Sequence, residues 1–185
     1  MLDPARAREV LRNADLICDE QTVHSALKRV AEEITGRLSD SNPLILSVMG
    51  GAVVFSGQLL TLLKFPLDFD YLHVTRYGDA TTGGGLQWKV FPQMSLTGRV
   101  VLVLDDILDE GHTMAAIRER ALAAGATQFL CAVFAEKDLG KPKPITTDFV
   151  GVTLPDRYVF GYGMDVKGAW RNLPAIYAIK PGQAL

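Results

Sequence analysis

Asp105, Asp106, Asp109 and Glu110 stand within six positions of one another, and Gly111, His112 and Thr113 follow at once. Carboxylates this close can hold a divalent cation, accept hydrogen bonds from sugar hydroxyls or take a proton as a general base. The residues after them suit a different partner. A glycine and a hydroxyl residue at the start of a helix leave backbone amides free, and these amides and the helix dipole attract phosphate. A bare phosphate would be repelled by the acids beside it, so a ligand for this segment must satisfy both. The competing account is a solvated turn at the end of a buried strand. Against it stands the clustering of all four acids in the segment that joins the most apolar strand to a helix.

The elements that position these residues follow from periodicity. Val100 to Leu104 form an apolar run that reads as a strand buried on both faces, and the helix opening near Thr113 ends at Gly125. Asp3 and Pro4 open a short N-terminal helix reaching about Ala14. A longer helix spans Gln21 to Leu38, with Val23, Leu27, Val30, Ile34 and Leu38 on one stripe. Leu44 to Val48 form a strand that turns at Gly50 and Gly51 into a helix over Val53 to Leu63. Further strands are expected at Leu67 to Val74 and Gln128 to Phe134. The glycine-rich RYGDATTGGGLQW reads as a mobile loop, and the tail from Asp148 as short strands and loops beside the sheet. Strands alternating with helices predict an α/β fold with a mostly parallel central sheet, whose ligands sit at the carboxyl ends of the strands.

Composition narrows the function. A chain of 185 residues, 48% hydrophobic, suits one domain over residues 1–185 with a sizeable core. A net charge of −2 and a pI near 5.9 supply no basic field for nucleic acid. Cys18 and Cys131 are too few for a disulfide framework and are expected reduced; His24, His73 and His112 have no metal-ligand spacing. The N-terminus carries no apolar signal core, and no apolar run approaches the roughly 18 residues of a membrane span, so a cytoplasmic protein is expected. The acidic pair after a strand could belong to a nucleotide triphosphatase, but G-x-x-x-x-G-K-[ST] is absent, and so is G-x-G-x-x-G.

VLVLDDILDEGHT resembles the phosphoribosyl pyrophosphate signature of the type I phosphoribosyltransferases. SVMGGAVVF, RYGDATTGGG, DFVGVTLPDRYVFGYGMD and WRNLP resemble segments of the hypoxanthine-guanine branch, so the likeness covers about Pro43 to Ile179. It implies that branch's fold: a core over about residues 40–150, and a small hood from about 151–185 with the N-terminal region. It also implies magnesium-dependent transfer of phosphoribose to hypoxanthine or guanine, with the purine base and phosphoribosyl pyrophosphate as partners, no nucleic acid, no membrane, and a homo-oligomer. Amides from Glu110 to Thr113, through Gly111 and His112, would cradle the 5′-phosphate, while Asp105 and Asp106 face the ribose hydroxyls and magnesium. Asp109 corresponds to the general base at purine N7, and Asp165 to the carboxylate of a second magnesium. Met49, Gly50, Gly51 and Arg171 correspond to the pyrophosphate site. Lys137 would donate to the 6-oxo group, Tyr158 stack on the purine and the Val159 carbonyl accept from a 2-amino group. Arg76, Tyr77 and Gly83 to Gly85 fall in the lid.

The chain departs from the family's common choices at Met49, where lysine is frequent, at Arg76, where serine is, at Glu110 in place of a small hydroxyl residue, and at the variable His112. A carboxylate at 110 weakens phosphate binding unless it points outward. Two rivals share the fold: an enzyme preferring xanthine, and an RNA-binding regulator, which would need a basic surface.

Overall fold

The computed structural model describes residues 1–76 and 86–183. Its elements in chain order are α1 (Pro4–Asn13), β1 (Asp15–Cys18), α2 (Glu20–Leu38), β2 (Leu44–Val48), α3 (Val53–Leu60), β3 (Asp68–Arg76) and β4 (Leu86–Val90), followed by β5 (Val100–Leu108), α4 (His112–Ala123), β6 (Gln128–Asp138), β7 (Phe149–Pro155), β8 (Val159–Phe160) and β9 (Ile176–Ala178). The strands form a six-stranded sheet in the order β4-β3-β2-β5-β6-β7 and a three-stranded sheet in the order β1-β9-β8. In the larger sheet only the β3/β4 pairing is antiparallel. The smaller sheet is antiparallel and joins the N-terminal β1 to the C-terminal strands.

Apolar strands without a polar face arise because the large sheet is covered on both sides. Ile45, Leu102, Leu104, Leu130 and Phe134 pack on the side of α2 and α3, while Leu44, Leu46, Val101, Val103 and Val133 pack with Met114 and Ile117 of α4. Residue parity along each strand chooses the side. Asp3 caps α1 as the sequence predicts, accepting from the amides of Ala5 and Arg6 with proline in the first turn, and α2 starts one residue before the expected Gln21, where Asp19 accepts from Thr22. No helix among the described residues is long and apolar enough to cross a membrane. Cys18 and Cys131 are both buried and free.

Five elements differ from the sequence-based expectation. Asp105 and Asp106 belong to β5, not to the loop after it: β6 keeps pairing with β5 as far as Leu108↔Glu136, while β2 stops at Ser47↔Leu104. Leu86 to Trp88 form part of β4, because cross-strand pairing with β3, His73↔Val90 through Arg76↔Leu86, overrides the glycines that precede them. Helix α3 ends at Leu60, short of Leu63, where the Leu62 amide turns back to the Leu59 carbonyl. The segment from Phe149 to Pro155 lies within the large sheet as β7, parallel to β6, and β1 is a strand that its short, mixed sequence did not announce. Tyr77 and Gly83 to Gly85 lie outside the described residues.

The strand order determines where a ligand can bind. From β2 the chain steps to β3 and β4 on one side, and from β5 to β6 and β7 on the other, so the order reverses between β2 and β5. Connections then leave the sheet in opposite directions and open a crevice at the carboxyl ends of these two strands. Leu102, fully buried in the middle of β5, anchors that part of the sheet. Leu102→Ala is expected to cost about 2–5 kcal/mol, read as a lower urea midpoint with an unchanged slope.

Candidate active site

At the β2/β5 crevice lies a cavity of about 520 Å³. Met49, Gly50 and Gly51 reach it from the turn after β2, Asp105 to Gly111 and Thr113 from the end of β5 and the start of α4, and Asp165 and Arg171 from the C-terminal segment. Chain regions more than a hundred residues apart thus converge on one space. The Met49–Gly50 peptide bond is cis.

The acidic end of β5 is held by its own backbone. The amide of Asp106 donates to Asp105 Oδ1 at 2.9 Å and that of Ile107 to Asp106 Oδ1 at 2.8 Å. Burial pushes the Asp105 carboxyl well above the usual range, and the adjacent Asp106 charge adds to it. Burial also raises Asp106, although its hydrogen bond with Asp105 and the Arg171 guanidinium work against the rise. The pair therefore carries more negative charge than its surroundings neutralise, which favours a proton or a cation there.

Close backbone approach sets the position of Asp106. A Cβ on Gly51 would overlap the Asp106 carboxylate, and one on Gly163, at φ +99°, would overlap the Gly51 carbonyl. Only hydrogen at both positions lets the turn after β2, the end of β5 and the C-terminal segment meet. Arg171 closes this corner. Its guanidinium donates to the Gly163 carbonyl at 2.6 Å, pairs with Asp165 at 2.5 Å and stands 3.9 Å from Asp106. Asp165 also accepts from the Gly168 amide at 2.6 Å.

The start of α4 supplies the opposite polarity. Gly111 is the N-cap residue at φ +83°, and its position offers no side-chain cap, an arrangement whose helix dipole favours an anion. The side chain of Glu110 turns toward Lys141, with 3.8 Å between the charged groups. This position beside a lysine offsets the repulsion that an acid in a phosphate cradle would exert. His112 is exposed and does not line the cavity.

A smaller cavity of about 220 Å³ adjoins the first and shares Asp106, Ile107, Asp109 and Asp165 with it; Lys137, Tyr158, Val159 and Met164 complete the wall. Across it Lys137 Nζ donates to Asp109 Oδ2 at 2.9 Å. The lysine side chain is 13% exposed and the aspartate 49%, so a largely buried cation presents itself to a carboxylate that water or a ligand can reach. Tyr158 is 48% exposed, which removes the ordinary core explanation for this aromatic.

Of the described residues singled out from sequence as site residues, all but His112 and Arg76 line one of these two cavities. Arg76 ends β3, and Tyr77 lies outside the described residues. Sequence reasoning missed His73 and Thr75, which line the larger cavity from β3 beside β2, and Met164 in the smaller one. Alternation along β3 would have found the first two once its place next to β2 was known.

A family model described as a phosphoribosyl transferase domain matches residues 14–167. The chain is 31% identical to a hypoxanthine-guanine phosphoribosyltransferase of Bacillus subtilis, across 90% of this chain and 93% of that one. It is 30% identical to a hypoxanthine-guanine-xanthine phosphoribosyltransferase of Tritrichomonas foetus, across 89% and 91%. The crystal structure of a hypoxanthine phosphoribosyltransferase from Staphylococcus aureus superposes with a TM-score of 0.86 at 22% identity, over 98% of this chain and 97% of that one, a likeness of fold.

The raised Asp105 sets a pH signature. Its side chain has an ordinary value near 3.8, and the folded protein holds its proton to higher pH. Stability contributed by that proton is present below the ordinary value and is lost as pH rises through the folded one. Asp105→Asn keeps an acceptor for the Asp106 amide and stays neutral throughout. It is expected to raise Tm at pH 8, by about 2–4 °C for each kcal/mol relieved, and the gain should shrink steadily as pH falls toward 4. Thermal unfolding of both proteins without ligand across that range checks it.

Proposed function

The chain belongs to the phosphoribosyl transferase family, and from that membership and the geometry of its two cavities we infer that it transfers the 5-phosphoribosyl group of phosphoribosyl pyrophosphate to hypoxanthine or guanine, giving the nucleotide and pyrophosphate. The observation that carries the choice of base is the Lys137–Asp109 pair at 2.9 Å across the smaller cavity. An oxopurine presents an acceptor at its 6-oxo group and a donor at N7–H on adjacent corners of the ring. One donor and one acceptor in contact across a cavity wall match that edge, and each group satisfies the other until a base separates them.

The remaining assignments follow the walls. Tyr158 offers an accessible aromatic face for stacking, and Val159, in the same wall, would offer its carbonyl to a 2-amino group. Amides of the α4 start, with Thr113, suit the 5′-phosphate, and Asp105 and Asp106 the ribose hydroxyls. Met49, Gly50, Gly51 and Arg171, in the wall of the larger cavity, would take the pyrophosphate. In the reaction N9 donates its electron pair to the sugar carbon, the bond to pyrophosphate breaks with its electrons on the leaving oxygen, and Asp109 takes the proton from N7. Phe69 and Tyr71, both exposed on β3, supply apolar surface that a homo-oligomer would bury.

Among the described residues no group of three or more acidic, histidine or cysteine side chains could hold a metal by itself. That donor set fits magnesium, which is commonly bound through one or two carboxylates and the oxygens of a phosphate substrate. The Asp105/Asp106 pair would hold one such ion and Asp165 a second, and once bound they would offset charge on the departing pyrophosphate.

Initial rates with hypoxanthine, guanine, xanthine, adenine and uracil test the reading, and activity confined to adenine or uracil would overturn it. Asp109→Asn keeps the shape and removes the base, so kcat should fall by about 10²–10⁴ while nucleotide affinity, measured by titration calorimetry, changes far less. Lys137→Ala should lower kcat/KM for both oxopurines. It should also narrow their advantage over adenine, whose 6-amino group sets a donor against the ammonium in the intact site, at a cost of roughly 1–3 kcal/mol or more.

A further inference from the structure

Lys143 has no place in the reading so far, and its surroundings are unusual for a lysine. Its side chain is 9% exposed, and its ammonium makes three hydrogen bonds: to the Leu108 carbonyl at 3.2 Å, the Lys137 carbonyl at 2.6 Å and Glu136 Oε1 at 3.1 Å. Three donors meet three acceptors, so the group is saturated and has none left for a ligand. The acceptors are what matter. Leu108 directly precedes Asp109, and the second carbonyl belongs to Lys137 itself, so one ammonium grips the backbone beneath both members of the pair that faces the smaller cavity.

The ladder explains why a grip is needed there. Pairing between β5 and β6 ends at Leu108↔Glu136, after which the two strands have no further rung to hold their spacing. Asp109 and Lys137 both lie just past that last rung. Glu136 is itself fixed from the other side by the Thr147 hydroxyl, which donates to its Oε2 at 2.7 Å. The same connecting segment places Ile145 beneath Gly111, where a Cβ would come within 3.3 Å of Ile145 Cγ2. The loop after β6 thus returns under the end of β5 and the start of α4, and Lys143 is its charged contact with both strands.

We propose that Lys143 is a positioning residue for base recognition, setting the separation of Asp109 from Lys137 by joining the Leu108 and Lys137 carbonyls; this rests on the oxopurine transfer inferred above. A general base and a hydrogen-bond donor that address adjacent atoms of one ring tolerate little error, since a displacement of about 1 Å can cost on the order of 10²-fold in rate. The pyrophosphate turn is held by other contacts, at Gly51, Gly163 and Arg171, and Gly111 in the phosphate cradle rests on Ile145 of the same loop through an apolar contact that loss of the ammonium leaves in place. Loss of the Lys143 ammonium should therefore affect the base far more than phosphoribosyl pyrophosphate.

Steady-state kinetics of Lys143→Met, which retains the stem and removes the ammonium, test this with both substrates varied. The expected result is a fall of about 10- to 100-fold in kcat/KM for hypoxanthine and guanine, with KM for phosphoribosyl pyrophosphate within about twofold of the unaltered protein. A merely structural lysine would not produce that split, so a rise in KM for phosphoribosyl pyrophosphate as large as the loss in kcat/KM for the bases overturns the proposal, as does an unchanged kcat/KM for the bases. Should Lys143→Met fail to fold, Thr147→Val removes one hydroxyl from the same network and must show the same split in smaller size; its absence overturns the proposal equally. An unaltered protein without oxopurine transfer overturns the functional reading and this proposal with it, whereas an active one with an indifferent Lys143 variant overturns this proposal alone.

Discussion

Beyond Ser47↔Leu104 strands β2 and β5 no longer pair, and most of what is distinctive in this molecule depends on that parting. Up to that rung both strands are fully committed to the core. Past it, β2 turns through Met49 and two glycines, while β5 continues against β6 alone, so its last four residues have a partner on one edge only. A paired strand end is rigid, and an unpaired edge is accessible. The combination holds Asp105 and Asp106 on a firm backbone with one side open to the crevice, which a flexible loop could not do.

Placing two carboxylates there costs stability, and the structure shows how the cost is limited rather than removed. Backbone amides and Arg171 offset part of the buried charge, and the guanidinium is shared with Asp165. Neighbouring apolar strands prevent full solvation. An acid pair left short of compensation binds a cation or a cation-bearing substrate more readily than a neutralised one would. The glycines at 51 and 163 belong to the same arrangement, because any side chain at either would push apart the three chain segments that enclose Asp106.

The two cavities differ in polarity. The larger joins the uncapped start of α4 to the carboxylates at the end of β5, and the smaller holds the Lys137–Asp109 pair, one donor beside one acceptor. Glu110, which as a sequence feature opposed phosphate, turns toward Lys141 from the loop after β6. That loop also carries Lys143 and Ile145, so it supports the acidic strand end, the helix start and Lys137 together.

Local signals in the sequence determined the apolar strands β2 and β5, the cap of α1, the parallel character of the sheet and the acidic cluster at the end of β5, since periodicity, capping residues and clustering act over a few neighbours, whereas Lys137, Tyr158, Asp165 and Arg171 stood out only through the family resemblance. Those local signals did not determine where β5 stops, because a strand's length depends on the partner beside it, and β6 continues where β2 does not. Nor could they place Leu86 to Val90 in a strand, find His73 and Thr75 beside the cavity, or show which way Glu110 turns. Each of those depends on contacts between residues distant in the chain. Lys143 is the clearest case: in sequence it is one lysine between two prolines, and only the return of its loop beneath β5 and β6 brings the Leu108 and Lys137 carbonyls within reach of its ammonium.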